Sequence, residues 1–155
     1  MIRKRIPRRD DQTIYELVQL LLVPFALETQ PDLRVDLAAI RKRLKPCLTY
    51  VDTCGRKTPG GFVSLRMEKD KMYVDMLAVH PRWQGKGVGS RLLEQAERTA
   101  VLEGYREVTL WVDDTNVQAQ HFYKAKGYEA VHYDTGIRCY MLTKRLQAQR
   151  PGLYR

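Results

Sequence analysis

The stretch that decides the fold lies near the middle of the chain, where a strand-like run meets a helix-like run. It reads Val79-His80-Pro81-Arg82-Trp83-Gln84-Gly85-Lys86-Gly87-Val88-Gly89. Glycines at such a junction let the backbone turn tightly and approach a ligand closely, and free N–H groups at the start of the helix point outward. Three glycines in five residues exceed what a tight connection needs. A plain strand-to-helix turn stays the alternative, but we expect this segment to bind phosphate, with Arg82 and Lys86 adding positive charge.

Two familiar phosphate-binding motifs do not fit this segment. The P-loop requires the pattern GxxxxGK[ST], whereas Lys86 lies between two glycines. The dinucleotide-binding fingerprint requires GxGxxG, ordered βαβ units and an acidic residue about 20 positions further on. The glycines here follow the pattern GxGxG, and no run of βαβ units surrounds them. The sequence therefore excludes both motifs.

Apolar periodicity on either side of the segment predicts the surrounding elements. Before it we expect a strand over residues 2–6, a helix that starts near Asp10 or Asp11 and stops at Pro24, a helix over 35–44, and strands over 47–51, 61–67 and 72–79. After it we expect a helix with Leu92 and Ala96 on its buried face, a strand over 107–112, a helix over 116–125, and strands over 127–133 and 137–143. The order β-αα-βββ-α-β-α-ββ indicates a single α/β (α+β) domain around a mixed sheet. We assign residues 1–146 to this domain and residues 147–155 to a C-terminal tail.

Composition limits the classes of protein that fit. The chain has 155 residues, of which 44% are hydrophobic and 29% charged, with a formal net charge of +9. Such a chain is long enough to bury a core and differs from disordered, collagen-like and coiled-coil sequences. The positive charge favours polyanionic ligands, namely nucleotide phosphates, nucleic acid or an anionic surface.

Cysteine usage and the N-terminus bear on the cellular compartment. The three cysteines form no CxxC pair, so neither a zinc site nor a redox motif is supported, and we expect no metal. A basic N-terminus before the apolar run 17–27 superficially resembles a signal peptide, but acidic residues interrupt the approach. The run is also too short to span a bilayer. We therefore expect a cytoplasmic protein with reduced thiols and no membrane contact.

A second motif lies downstream, in the predicted helix over 116–125. It reads Asn116-x-x-Ala119-x-x-Phe122-Tyr123-x-x-x-Gly127-Tyr128. Together with Gln84-Gly85-Lys86-Gly87-Val88-Gly89, which fits the pattern Q/R-x-x-G-x-G/A, it resembles the GCN5-related N-acetyltransferase (GNAT) family. The order of elements also matches over nearly the whole chain. The resemblance implies a mixed, mostly antiparallel sheet of about seven strands with helices on both faces, whose fourth and fifth strands splay apart to admit acetyl-CoA.

The resemblance also implies how acetyl-CoA binds. Splayed strands leave peptide groups unpaired, so the backbone of Leu77, Ala78 and Val79 on the fourth strand can pair with the pantetheine as a neighbouring strand would. An N–H group near Leu77 would also stabilise the oxyanion. The pyrophosphate is expected on the backbone N–H groups of the turn, namely those of Gln84, Gly85, Lys86, Gly87, Val88 and Gly89, with Ser90 beginning the helix behind it. Asn116 either hydrogen-bonds the CoA or its bound water, or only starts its helix.

Two residues are candidates for catalysis. Tyr123 matches the tyrosine that protonates the departing CoA thiolate in many members, and a phenol suits this role because its pKa exceeds that of a thiol. The alternative is that Phe122 and Tyr123 only pack the helix. For the general base, many members use a Glu on the fourth strand; this chain offers Asp75, which would act through a water. Asp75 is equally well explained as an alternating polar residue on a half-exposed strand, and His80 and His121 are assigned no role.

The resemblance leaves the acceptor open. In this fold the acceptor site lies between the first two helices and the loop of the last strand pair, here residues 26–36 and 133–138. Acidic residues in both segments would suit a cationic amine, namely Glu28, Asp32, Asp36 and Asp134. Small amines, polyamines, antibiotics, a protein N-terminus and lysine side chains all stay candidates for direct transfer in a ternary complex.

Two other functions compete with this one. Some family members acetylate aminoacyl-tRNA or ribosomal proteins, and the basic runs 2–9 and 41–45 could contact RNA phosphate. Neither run interleaves aromatic residues for base stacking, so nucleic acid is the less expected partner. A non-catalytic acyl-CoA sensor is the third function. Family members are often dimers, so a homodimer is a further candidate, with Trp83, Trp111 and the pair Leu153-Tyr154 each assigned to core or interface.

Overall fold

The computed structural model describes residues 1–147. Apart from residue 147, the predicted tail, with Leu153 and Tyr154, lies outside the described residues. In chain order the elements are β1 (Ile2–Lys4), α1 (Pro7–Leu21), α2 (Val23–Ala26), α3 (Leu37–Leu44), β2 (Leu48–Asp52), β3 (Gly61–Glu68), β4 (Lys71–Val79), a 3₁₀ turn (Pro81–Trp83), α4 (Val88–Leu102), β5 (Glu107–Asp113), α5 (Val117–Ala125), β6 (Glu129–Asp134) and β7 (Cys139–Arg145).

The seven strands form one sheet in the order β1-β2-β3-β4-β5-β7-β6. Every neighbouring pair in this sheet is antiparallel except β4 and β5, which run parallel. The predicted fold class, a mixed and mostly antiparallel sheet in a single α/β domain, is therefore confirmed. Within residues 1–147, none of the helices has both the length and the apolar character that crossing a membrane requires.

Two apolar clusters hold the helices against the sheet, one on each face. On one face, α4 packs Leu92, Leu93 and Ala96 onto residues of β3, β4, β5 and β7, and α5 adds Tyr123. On the other face, α1 and α3 pack Ile14 and Leu44 onto β2, β3 and the end of β4. The periodicity of α4 thus predicted its buried face, with Leu92 and Ala96, correctly, because apolar residues spaced by three or four lie on one side of a helix.

The start of α1 differs from the prediction. The helix begins at Pro7 rather than near Asp10 or Asp11, since proline suits the first helical turn, where its missing N–H costs nothing. Asp10 lies in the first turn of α1, and its carboxylate accepts the N–H of Ile6, the residue before the helix, at 2.7 Å. Pro24 has the predicted effect: α1 ends at Leu21, and the short α2 carries Pro24 in its own first turn.

The last two strands begin two residues later than predicted, because the preceding turns take up more of the chain. Gly127, with φ of +94°, closes α5 by donating its N–H to the Lys124 carbonyl. Between β6 and β7, the Asp134 carboxylate accepts the N–H groups of Gly136 and Ile137 at 2.8 and 3.1 Å. A carboxylate that binds the backbone in this way stabilises a turn instead of a strand. The other element boundaries lie within two residues of those predicted.

Candidate active site

The predicted opening between the fourth and fifth strands is present. β4 pairs with β5 only through Met72–Val74 and Val108–Leu110. The remaining five residues of β4, 75–79, have no strand partner on that side, while β5 stays paired with β7 as far as Asp113. Parallel strands that separate in this way leave backbone N–H and C=O groups without their sheet partners, so an extended amide-containing ligand can bind there.

A β-bulge at Asp75 sets which side chains face the opening. In the pairing of β3 with β4, Ser64 lies opposite Met76 and Leu65 opposite Val74, which leaves Asp75 as the extra residue. Val74 belongs to the cluster under α4, and Met76 belongs to the cluster under α1 and α3. The Asp75 side chain bonds to Arg43 of α3. Asp75 and Met76 therefore point to the same face, as successive residues do at a bulge.

The glycine-rich segment forms a tight turn into α4. Gly85 and Gly87 have φ of +74° and +82°, in the left-handed region that favours glycine. The helix begins at Val88, two residues before the predicted start at Ser90, and no side chain caps it. In the described part of the chain, the six backbone N–H groups of residues 85–90 donate no hydrogen bond. Gln84 differs, because its N–H is bound to the Pro81 carbonyl. Free N–H groups and a helix N-terminus together favour a phosphate.

Side chains from neighbouring elements hold this turn in place. The Gln84 side chain donates Nε2–H to the carbonyl of Val79 at 2.9 Å. Arg91 joins Asp52 of β2 to the turn: its Nε lies 3.2 Å from Asp52 Oδ2, and its Nη1 donates to the Lys86 carbonyl at 3.3 Å. The Lys86 ammonium lies 5.2 Å from the centre of the Trp83 ring, so its positive charge stays beside the turn.

A cavity of about 750 Å³, here called the turn cavity, lies between the end of β4, the glycine turn and α5. It is lined by every residue predicted to bind the cofactor except Lys86, whose contribution is expected from its backbone: Leu77, Ala78, Val79, Gln84, Gly85, Gly87, Val88, Gly89, Ser90, Asn116 and Tyr123. The opposite wall is apolar and comes from α1 and α2, through Leu20, Leu21, Leu22, Pro24 and Phe25. This wall was not predicted from the sequence.

A second cavity of about 530 Å³, here called the β5 groove, runs along the splayed strands beneath α3. Its walls include Arg43 of α3, Asp75 of β4, Trp111 and Asp113 of β5, and Cys139 of β7. Five residues line both cavities: Leu22, Leu77, Asn116, Ala119 and Tyr123. The two cavities therefore meet at Tyr123 and at the middle of β4.

Tyr123 is buried at this junction, with 7% of its surface exposed. Its ring packs edge-to-face against Phe122 and Tyr128, with centroids 5.2 and 5.7 Å away. The packing expected as an alternative to catalysis is thus present. Burial also raises the pKa of the Tyr123 phenol, which keeps it protonated at neutral pH. Among the described residues its hydroxyl has no hydrogen-bond partner, so the O–H is available to a ligand.

The other predicted polar residues have visible structural contacts. The Asp75 carboxylate, 13% exposed, pairs with Arg43 through both of its oxygens. Asn116 caps α5 by accepting the N–H of Ala119 at 3.2 Å, and it also lines both cavities. His80 caps the 3₁₀ turn through Nδ1, and His121 is exposed. Among residues 1–147, no group of three or more His, Cys, Asp or Glu is placed to hold a metal ion.

Among the β5-groove residues that were not predicted from the sequence are Arg43, Trp111 and Asp113. A signal for two of them existed. Along β5, Val108, Leu110 and Val112 belong to the cluster under α4, so the alternate residues Thr109, Trp111 and Asp113 face the groove side. No comparable signal places Arg43 there, because its position depends on how α3 packs on the sheet.

The comparisons with known proteins agree with this geometry. The family model described as "Acetyltransferase (GNAT) family" matches residues 14–128. The chain therefore belongs to the GNAT acetyltransferase family.

Individual relatives are more distant. A thialysine N-epsilon-acetyltransferase from Bos taurus is 29% identical over 69 residues, which span 44% of this chain and 41% of that protein. A GCN5-related N-acetyltransferase from Rhodopseudomonas palustris has a TM-score of 0.71 and 26% identity, covering 94% of this chain and 95% of its own. A PaiA N-acetyltransferase from Thermoplasma acidophilum, solved with coenzyme A, has a TM-score of 0.70 and 19% identity, covering 94% and 99%. At that identity the last likeness concerns the fold alone.

Proposed function

We propose that this protein is an N-acetyltransferase that moves an acetyl group from acetyl-CoA directly to a primary amine within a ternary complex. One observation carries the proposal: the turn cavity, with its row of free N–H groups, meets the β5 groove at the buried hydroxyl of Tyr123. Two substrates that occupy the two cavities can therefore meet at one proton donor. No nucleophile from the enzyme is needed for such a transfer.

The turn cavity suits acetyl-CoA. Six free N–H groups at residues 85–90 match the pyrophosphate, and a Cβ added at Gly85 would meet nothing within 4 Å, so the backbone there is open to a ligand. Residues 75–79 of β4, including Leu77, Ala78 and Val79, offer unpaired peptide groups to the pantetheine. The fold of the coenzyme A complex from Thermoplasma acidophilum supports this assignment.

Tyr123 is the proposed general acid for the CoA thiolate, since its raised pKa keeps a proton available at neutral pH. Asp75 is the base expected from the family resemblance, and it lines the β5 groove. Its short side chain would need a water to reach the acceptor, and its pairing with Arg43 competes with that role.

The acceptor is proposed to be a small amine, a polyamine or a protein amine. A bovine relative that carries the name of a thialysine N-epsilon-acetyltransferase supports a side-chain amine, and a fold neighbour named as the ribosomal-protein-S18-alanine N-acetyltransferase of Escherichia coli supports a protein N-terminus. RNA is a weaker candidate, because three arginines of the two basic runs are engaged with buried carboxylates: Arg3 with Asp10, and Arg5 and Arg41 with Asp11. The three cysteines are free thiols, which supports the cytoplasm as the compartment.

The test combines binding with turnover. Calorimetry measures acetyl-CoA affinity, and a thiol reagent follows CoA release with polyamines, amino acids, aminoglycosides, peptides and charged tRNA as acceptors. Release with one acceptor class supports the transferase and names that class. Binding of acetyl-CoA without release from any acceptor supports the acyl-CoA sensor instead. Failure to bind acetyl-CoA contradicts both.

A further inference from the structure

The β5 groove contains a second carboxylate to which neither the sequence analysis nor the proposed function gives a role. Asp113 is the last residue of β5, and its side chain faces Cys139, its partner on β7. The Cys139 thiol donates to Asp113 Oδ1 at 3.6 Å. Across the described residues, this is the one hydrogen bond that the Asp113 carboxylate accepts from another side chain, and no cation pairs with it.

The carboxylates of Asp75 and Asp113 therefore differ in the hydrogen-bond and ion-pair partners that the protein gives them. Asp75 accepts guanidinium N–H groups of Arg43 on both oxygens, at 2.8 and 3.4 Å, so its charge is compensated within the protein. Asp113 has only the weak thiol donor of Cys139 and its own backbone N–H. An uncompensated carboxylate in a cavity attracts a cation from solution, and an acceptor amine is such a cation at neutral pH.

The surroundings of Asp113 also favour proton uptake. Burial raises the pKa of the Asp113 carboxyl above its ordinary value, and the charges of Glu28 and Asp114 raise it further, against the opposing hydrogen bond from Cys139. The neighbouring Asp114 is bound by Tyr133 and Arg138, so its carboxylate is engaged elsewhere. A carboxylate with a raised pKa is a better proton acceptor than an ordinary aspartate.

Asp113 is fixed relative to the proposed acid. Its backbone carbonyl accepts the N–H of Asn116 and the side-chain N–H of Gln120, each at 3.0 Å. These bonds tie the end of β5 to the start of α5, the helix that carries Tyr123. One strand-to-helix unit therefore presents a carboxylate on the acceptor side and a phenol at the junction of the two cavities.

We infer that Asp113, in place of Asp75, binds the ammonium group of the acceptor and takes its proton. This inference rests on the proposed function. Loss of one N–H proton to Asp113 leaves the nitrogen lone pair free to form the C–N bond with the thioester carbon. As the C–S bond breaks, the thiolate takes the proton of the Tyr123 hydroxyl, and the second proton of the nitrogen restores that hydroxyl. Asp113 then releases its proton to solvent.

The decisive experiment is a pH profile with cadaverine, lysine and an alanine-terminated peptide as probes. At pH 7 we expect Asp113→Asn to lower kcat/KM for the amine by about 10²–10³-fold, a usual range for loss of a general base. The loss should shrink by about tenfold per pH unit towards pH 10, where a lysine-like amine loses its proton to solvent. Asp113→Glu should retain most activity, and Asp70→Asn, an aspartate variant in the exposed turn between β3 and β4, should keep the wild-type profile.

The inference is overturned if Asp113→Asn lowers kcat/KM equally at pH 7 and pH 10. It is also overturned if the pH-dependent loss of kcat/KM occurs in Asp75→Asn and not in Asp113→Asn. A second measurement does not need turnover. Calorimetry of cadaverine with the CoA complex should detect binding that Asp113→Asn abolishes and Asp70→Asn preserves, with Tm values confirming that both variants fold. Equal binding to the wild type and Asp113→Asn, or none to either, overturns the ammonium site. Absence of acetyl transfer to every probe, with cadaverine binding intact, contradicts the proposed function alone.

Discussion

Burial gives the Tyr123 side chain two properties that act together. It raises the pKa of the phenol, and it locks the ring between Phe122 and Tyr128. Phenylalanine keeps the ring contacts and lacks only the hydroxyl group, so Tyr123→Phe separates the packing role of the ring from the role of the O–H as a proton donor. We expect kcat to fall by about 10²-fold or more while acetyl-CoA affinity stays within error. Steady-state kinetics and calorimetry measure both values; an unchanged kcat contradicts the assignment of Tyr123 as the acid.

Asp113 has a measurable effect on its neighbour Cys139. Burial and the negative charge of Asp113 raise the pKa of the Cys139 thiol to about 12. Replacing Asp113 by Asn removes that charge, so the thiol should ionise at lower pH and react faster with iodoacetamide at pH 8–9. Mass spectrometry of the alkylated peptides gives the rate, with Cys47 as an internal control. Equal Cys139 rates in the wild type and variant contradict the contact.

Whether a site residue could be predicted depends on how close in the chain the residues that define its role lie. Tyr123 and the turn glycines were predicted because their roles follow from short motifs in which each residue acts near its own position in the chain. The groove contact of Asp75 with Arg43 could not be predicted, since those residues lie on different elements 32 positions apart. Asp113 lies between these cases: its strand face was readable from alternation, but the absence of a partner depends on the packed structure.

At the scale of elements, the glycine turn is the part of the site that a single substitution disrupts most directly. A side chain at Gly87 must adopt φ of +82°, and its Cβ would lie 3.3 Å from Arg91 Nη1. Gly104, at the other end of α4, has φ of +85° and nothing within 4 Å of such a Cβ. The two positions thus carry similar backbone strain, about 1–2 kcal/mol for a non-glycine residue, and differ in their distance from the turn cavity.

We expect Gly87→Val to weaken acetyl-CoA binding by about tenfold or more, the equivalent of about 1.4 kcal/mol. Gly104→Val should lose similar stability and keep its affinity. Calorimetry and thermal unfolding give the two comparisons. If both variants bind acetyl-CoA as the wild type does, the turn is not the phosphate site.

The order and type of the elements were predictable because apolar periodicity and turn residues are local properties. Their ends were less so: α1 starts at Pro7, which suits the first helical turn, and Asp10 and Asp11 lie inside the helix because they pair with Arg3 and Arg5. The bulge at Asp75 also left no signal, since a bulge is a property of the pairing between two strands, and buried and half-buried residues still alternate along most of β4.

At the scale of the whole molecule, two buried carboxylates connect three elements. Asp10 accepts two hydrogen bonds from Arg3 of β1, and Asp11 binds Arg5 and also Arg41 of α3. Removing one partner of such a pair leaves a buried charge uncompensated, which typically costs about 3–5 kcal/mol. Part of the net charge of +9 therefore stabilises the fold and does not form a free basic surface.

This arrangement makes stability depend on pH. Burial pushes the pKa of Asp10 upward, but the hydrogen bonds from Arg3 and the Ile6 N–H and the nearby positive charges outweigh it, so the pKa lies below its ordinary value. The folded state then binds the proton less tightly than the unfolded chain. The stabilisation by the Asp10 carboxylate is complete above the pKa of aspartate in the unfolded chain, about 3.9. It is lost as the pH falls through the lower pKa that Asp10 has in the folded state.

We expect Asp10→Asn to lower the free energy of unfolding by about 3–5 kcal/mol at pH 7 and by less at pH 3. Urea unfolding at both pH values measures the difference. Asp70→Asn, in the exposed turn between β3 and β4, should match the wild type at both. A difference between wild type and Asp10→Asn that does not narrow at low pH contradicts the linkage.

The single extra residue in β4 lies outside the register of the sheet. Val74 and Met76 lie opposite Leu65 and Ser64, which are themselves neighbours on β3, so a deletion of Asp75 would leave both pairings and both apolar clusters in place. Only the carboxylate that Arg43 binds and the local bend of the bulge would be lost. The bulge therefore adds a charged side chain to the groove without moving the apolar residues before and after it.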